Sequence, residues 1–189
     1  MNSVNIMIVG VGGQGSLLAS KLLGSLLLEE GFDVKVSEVH GMSQRGGSVV
    51  TYVKAGQRVY SPVIEPGEAD FVLAFEKLEG ARFAPYLKTG GTLIVNTQEI
   101  DPMPVITGKA DYPSQALDAL PGVNVEAFDA LTLAEQAGSA KAVNIVLLSR
   151  FAKHFSLPYE SWTRAIENTV APKFLDMNLR AFRTGFEQA

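Results

Sequence analysis

Cysteine is absent from this 189-residue chain, and histidine occurs only twice, as His40 and His154. The first absence excludes disulfides, cysteine-ligated zinc, iron–sulfur ligation by this chain and a thiol nucleophile. The second excludes a three-histidine metal site. An excess of positive charge is lacking as well. The 16 basic residues are scattered among 20 acidic ones, for a net charge of −4, which leaves no footprint for nucleic acid or an anionic membrane. The most apolar stretch near the start, residues 4–28, is broken by Gln14, Ser16, Lys21 and several glycines. It has neither a basic leader nor a small-residue cleavage site, so it reads as neither signal peptide nor membrane span, and the expected location is the cytoplasm. Also missing are a GxxxxGK[ST] loop, a G-x-S-x-G elbow, a thiamine-type GDG…NN run and a CxxC pair. Any electron chemistry involving this chain would use a metal held elsewhere.

What is present is a folded unit: 47% of residues are hydrophobic and 19% charged, too apolar for disorder and long enough for a sizeable core. Residues 4–9 form a β-branched run apolar on both faces, as buried parallel strands are. A glycine loop follows, then a helix to about Glu30 on which Leu18, Leu22 and Leu26 recur four apart, with Ala19, Leu23 and Leu27 widening the face and Gly31 stopping it. Residues 32–39 read as a second strand completing a βαβ-type opening. Residues 48–54 read as a third strand, with 58–61 as its hairpin partner across Gly56. Further strands are expected at 69–75, 92–96 and 124–128, with a helix from 76 to about 87; residues 101–122 are Pro-rich and carry no clear period. Helical patterns occupy 131–136, 142–155, 159–170 and 172–185. This alternation predicts an α/β fold: a three-layer, Rossmann-like, mostly parallel sheet with a C-terminal helical layer or arm.

Gly10-x-Gly12-x-x-Gly15 lies between a strand and a helix, the context a dinucleotide fingerprint requires. Gly12 would let the backbone approach a phosphate, and Glu38 falls about 20 residues further on, where a ribose-binding acid belongs. A tight strand-to-helix turn needs glycines whether or not anything binds. The loop Gly10, Gly12, Gly13, Gln14, Gly15 therefore admits three readings: a dinucleotide, another anion or partner contact, or turn geometry alone. Gln14 places a long polar side chain at the helix start, where it could cap the helix or face a partner.

The segment Ser37-Glu38-Val39-His40-Gly41-Met42-Ser43-Gln44-Arg45-Gly46-Gly47-Ser48 gathers most of the unusual polar groups at a strand's carboxyl end, where ligands sit in α/β sheets. Arg45, followed by Gly46 and Gly47, can present its guanidinium fork to a carboxylate or phosphate. His40 titrates near neutral pH when free. The plainer alternative is a Glu38–Arg45 pair pinning a loop. His154 reads as a helix cap or surface residue, and Met7, Met42, Met103 and Met177 as packing or interface residues. Asp70 and Glu76 bracket a strand too far apart to act as an acid/base pair.

Taken together, Gly10–Gly15, the Ser37–Ser48 segment and the late pattern Asn178-x-x-Ala181-Phe182-x-x-Gly185 resemble the gamma-type domain of the 2-oxoacid (pyruvate/ketoisovalerate):ferredoxin oxidoreductases, and within that family the small, beta-type subunits of the indolepyruvate enzymes. The resemblance spans the whole chain and implies one gamma-type domain over residues 1–189, with an α/β core to about 130 and a helical part from about 131. It implies an accessory role in a thiamine-dependent complex. A large partner subunit would bind thiamine diphosphate and carry the iron–sulfur clusters. The complex would decarboxylate an aryl pyruvate, form the acyl-CoA and pass two electrons to ferredoxin. No residue here is expected to be catalytic and none to bind a metal. Glu38, His40, Gln44, Arg45, Gly46 and Gly47 are candidates for lining the site or the partner contact, and the chain would bind no cofactor alone.

Two other readings stay open. One is a stand-alone NAD(P)-binding protein, from the glycine loop and Glu38. The other is a non-enzymatic homo-oligomer using residues 159–185 as an arm, where Phe174, Leu175, Leu179 and Phe182 recur at helical spacing and would cover either this chain's own sheet or a partner. A homodimer of the isolated chain is compatible with the oxidoreductase reading, because the surface meant for the large subunit would be bare.

Overall fold

The computed structural model describes residues 3–40, 47–118 and 120–188, with the side chain of His40 outside that description. Its centre is a six-stranded sheet ordered β2-β3-β1-β4-β5-β6. The strands are β1 (Ser3–Val11), β2 (Asp33–His40), β3 (Ser48–Gly56), β4 (Ala69–Ala74), β5 (Leu87–Asn96) and β6 (Asn124–Phe128). β1, β4, β5 and β6 pair in parallel, and β3 runs antiparallel to both β1 and β2, so β2 points the same way as β1. The helices are α1 (Ser16–Glu29), α2 (Lys77–Phe83), α3 (Met103–Ile106), α4 (Ala130–Gln136), α5 (Val143–Ala152), α6 (Tyr159–Thr169) and α7 (Pro172–Glu187).

β1 is apolar on both faces because it feeds two cores. Val4, Ile6 and Ile8 point to one side, where α1, α4, α5, α6 and α7 lie. Met7 and Val9 point to the other, covered by Phe83, Tyr86, Ile64, Leu117, Leu120 and Val123. Period-2 alternation on a central strand thus serves two separate clusters.

Three sequence expectations need correction. Residues 58–61 form no strand; β3 pairs instead with β2 and β1, which satisfies both of its edges. After Gly56 the chain is drawn away by Asp33, whose carboxylate accepts the Val59 N–H at 2.8 Å and so takes that donor from any hairpin ladder. The βαβ opening, in turn, skips a place: β3 fills the position between β1 and β2. The helix expected to about residue 87 ends earlier, as α2 passes into a 3-10 turn at Ala84–Tyr86 and β5 starts at Leu87.

The C-terminal helices form a layer on the sheet, and the arm alternative falls away. Trp162, Phe151 and Phe182 are fully buried with Ile6, Ile8 and Leu73 in one cluster. Phe182 stacks on Trp162 with ring centroids 6.1 Å apart. Leu175 and Leu179 pack on the same cluster, leaving Phe174 half-exposed. The pattern Asn178-x-x-Ala181-Phe182-x-x-Gly185 is the buried stripe of α7. Gly185 lies against α5 so closely that a Cβ there would stand 2.2 Å from Ser149 Oγ and 3.1 Å from the Val146 carbonyl oxygen. Gly185→Ala should therefore destabilise the protein by about 1–3 kcal/mol through overpacking, outweighing the roughly 1 kcal/mol gain in helix propensity. Thermal denaturation reads the sign, and an unchanged or raised midpoint would show that the two helices simply move apart.

Candidate functional site

The carboxyl ends of β1, β2, β4, β5 and β6 and the start of β3 share one edge of the sheet, where α/β proteins bind ligands. The glycine loop sits there under tight local constraint. Gly13 and Gly15 adopt φ of 102° and 88°, left-handed conformations that favour glycine. Gln14 neither caps α1 nor faces outward. Its Oε1 accepts the Val11 N–H at 2.8 Å and its Nε2 donates to the Phe75 carbonyl at 3.0 Å, bridging the ends of β1 and β4. Gly10 makes room for this bridge, since a Cβ there would lie 2.8 Å from Gln14 Oε1. Gly15 yields to Asn144 of α5, whose Nδ2 donates to the Gly15 carbonyl at 3.2 Å. Gly12 donates its N–H to the Gly47 carbonyl at 2.9 Å, tying the loop to the end of the second motif.

The structure brings part of that second motif to the loop. Glu38 is exposed on β2 and lines a cleft of about 350 Å³ with Gly12, Gly13, Ser16, Leu17 and Val49. His40 closes β2. Gln44, Arg45 and Gly46 lie outside the described residues. A dinucleotide fingerprint sets the acid-bearing strand directly beside the glycine-loop strand, whereas β3 here separates them, placing Glu38 about two strand spacings, roughly 10 Å, from β1. A second crevice of about 540 Å³ opens where the chain order reverses between β1 and β4, walled by Leu18, Ile100 and Leu131 and edged by Gln98, Lys141 and Asn144. Among the described residues, no three histidine, aspartate or glutamate side chains gather to hold a metal.

The most constrained carboxylates of this edge were not among the expected residues. Glu76 is buried at the N-terminus of α2, where Oε2 accepts the Glu79 N–H at 2.8 Å. Its Oε1 accepts the Ile100 N–H at 3.2 Å and a short hydrogen bond from the Tyr112 hydroxyl. Burial and then the Glu76 carboxylate push the Tyr112 phenol far above its ordinary pKa, so its proton stays in place as donor. Glu79, also buried, accepts Ser48 Oγ–H at 2.5 Å and Arg82 at 2.9 Å, fixing the start of β3 to α2. A carboxylate directly after a buried strand and three residues ahead of another was the available signal. Away from the edge, Asp70 accepts the Asn5 N–H at 2.8 Å and pairs with Lys88, and His154 pairs with Glu126 at 2.8 Å; these are structural contacts.

The family model described as pyruvate ferredoxin/flavodoxin oxidoreductase matches residues 5–188. The chain belongs to that family. Its relatives include the protein named indolepyruvate oxidoreductase subunit IorB of Thermococcus kodakarensis, 42% identical over 198 residues that cover 100% of this chain and 97% of the relative. The protein of the same name from Pyrococcus horikoshii is also 42% identical, with the same coverage. Among solved structures, the gamma subunit of a keto/oxoacid ferredoxin oxidoreductase from Geobacter sulfurreducens superposes with a TM-score of 0.75 at 25% identity, covering 98% of each chain. The family expected from the glycine motifs is the one found, and its sheet carries the loop described above.

Gln14→Ala leaves the Val11 N–H without its side-chain acceptor and removes one of two donors to the Phe75 carbonyl, which keeps Asn96 Nδ2 at 3.1 Å, and should cost about 1–3 kcal/mol in chemical denaturation. Gln14→Glu keeps the acceptor but sets a carboxylate against the Phe75 carbonyl, and should cost at least as much. A loss under about 0.5 kcal/mol for both would show that water replaces the bridge. Calorimetric titration with NAD⁺ and NADPH should give no binding heat at millimolar concentration; saturable heat would restore the dinucleotide reading.

Proposed function

We propose that this chain is the accessory small subunit of a 2-oxoacid:ferredoxin oxidoreductase that acts on indolepyruvate and similar aryl pyruvates. The complex decarboxylates the oxoacid oxidatively, forms the acyl-CoA and passes the electrons to ferredoxin. The observation that carries this reading is the 42% identity, over the whole chain, to proteins named indolepyruvate oxidoreductase subunits. Residues 1–189 act as one gamma-type domain, an α/β core to about residue 130 joined to helices from about 131. The catalytic groups belong to a large partner subunit: thiamine diphosphate supplies the decarboxylating carbon centre and iron–sulfur clusters carry the electrons. This chain does not fit either group, having no cysteine to ligate a cluster and no GDG…NN run.

What the chain supplies is a rigid wall. The glycine loop, braced by Gln14 and Asn144, holds the sheet's carboxyl edge, and Glu38, His40, Gln44, Arg45, Gly46 and Gly47 are the candidates for contact with the partner's centre. Among the described residues no helix is long and apolar enough to cross a membrane, in keeping with a cytoplasmic complex. Isolated from its partner, the chain can self-associate through the bare face.

Reconstitution tests the proposal. The chain alone should show no turnover of indolepyruvate with CoA and ferredoxin, and adding the cognate large subunit should give full activity. In that complex Arg45→Ala should lower kcat/KM about tenfold or more, the loss of one charge-assisted contact, with subunit composition unchanged. A large subunit equally active without this chain would overturn the proposal, and wild-type kinetics for Arg45→Ala would reduce the 38–47 segment to scaffolding.

A further inference from the structure

Residues 100–112 leave the carboxyl end of the sheet and return to nearly the same place. Both stems are held by the start of α2. Glu76, 1% exposed, accepts the Ile100 N–H on one stem and the Tyr112 hydroxyl on the other through the same oxygen. Outside that clamp, Glu99 accepts Lys77 at 2.8 Å and Ser114 Oγ at 3.3 Å. The Leu78 N–H returns a bond to the Tyr112 oxygen at 3.0 Å. The excursion between these stems satisfies its own backbone. The Val105 and Ile106 N–H groups donate to the Pro102 carbonyl, and those of Lys109 and Ala110 to the Pro104 carbonyl. Such a closed, self-bonded loop is an Ω-loop by its geometry.

Its tip is α3, Met-Pro-Val-Ile, a turn in which no residue is buried. Met103 is 65% and Ile106 64% exposed. Two apolar side chains standing on a rigid frame, with a buried carboxylate committed to holding the frame, gain nothing from this chain's own core. We propose that this tip is an anchor inserted into an apolar socket on the large subunit, an inference that rests on the accessory-subunit reading above.

Three observations choose that occupant over a second copy of this chain. The tip offers only two large exposed side chains, far less than the roughly 800 Å² per partner that a stable dimer interface takes, so it acts as an anchor within a larger contact. It stands on the edge proposed to face the partner, and Ile100 at its base also walls the 540 Å³ crevice beside the glycine loop. The exposed Asp101 and Asp111 flank the tip, with Lys109 between them, which fits a socket with a basic rim. Fixed stems mean that little ordering entropy is lost on docking, the advantage of a preorganised anchor.

The test measures binding of this chain to its cognate large subunit, anaerobically, for wild type and for the double variant Met103→Ser, Ile106→Ser. These side chains touch no core, so the thermal midpoint should stay put, while Kd should rise about tenfold or more and kcat at saturating small subunit should hold. Tyr112→Phe, which opens the clamp and leaves the tip intact, should weaken binding by a smaller factor. Wild-type binding with an unchanged Kd in the double variant overturns the anchor and leaves the subunit reading standing. Failure of the wild-type chain to bind overturns both. If the double variant alters only self-association in sedimentation, a second copy takes the tip and the proposal fails.

Discussion

The carboxamide of Gln14 lies across the ends of β1 and β4, taking a proton from one backbone and giving one to the other. These are the two strands between which the chain order reverses, and the bridge adds to the Phe75 N–H that donates to the Val9 carbonyl at 2.9 Å. With the bridge in place, Gly10 must lack a side chain, Gly13 and Gly15 must turn left-handed, and α1 must start where Asn144 of α5 can reach it. The Gly12–Gly47 bond then passes the constraint to the second motif. Part of a pattern that reads as a phosphate cradle is thus committed to the fold, with the Val11, Gly12 and Gln14 N–H groups bonded within it.

The buried carboxylates extend the same frame. Glu76 and Glu79 lie one helical turn apart on α2 and reach in different directions, one to residues 100 and 112, the other to Ser48 at the head of β3. Burying two carboxylates is costly unless each is fully bonded, and here each is. Together with Gln14 they connect α1, α2, β3 and the 100–112 loop along one rim.

Much of the fold was legible from local pattern. β1 and the four C-terminal helices follow hydrophobic periodicity closely, because each buries a face against the sheet or its neighbours and the period is the burial. The placement of β3 was not legible: its alternation is the same whether it pairs with residues 58–61 or inserts between β1 and β2. What decides is the Asp33 contact with Val59, a pairing 26 residues apart in sequence. For the site, spacing singles out the glycine loop and Glu38, yet it leaves Gln14 between capping α1 and facing a partner, because the groups it bridges, Val11 and Phe75, meet only in the folded sheet. Glu76 was set aside as half of an unconvincing acid pair. Its role depends on Tyr112, which sits in a stretch with no period to read.

The central claim is that this chain is a braced wall for a catalytic centre that another subunit carries. The most direct measurement is to isolate the chain from its native cells under anaerobic conditions and determine the iron, thiamine diphosphate and polypeptides that accompany it. The account predicts a large companion in fixed ratio carrying both iron and thiamine diphosphate. Recovery of this chain alone, with neither, would contradict it.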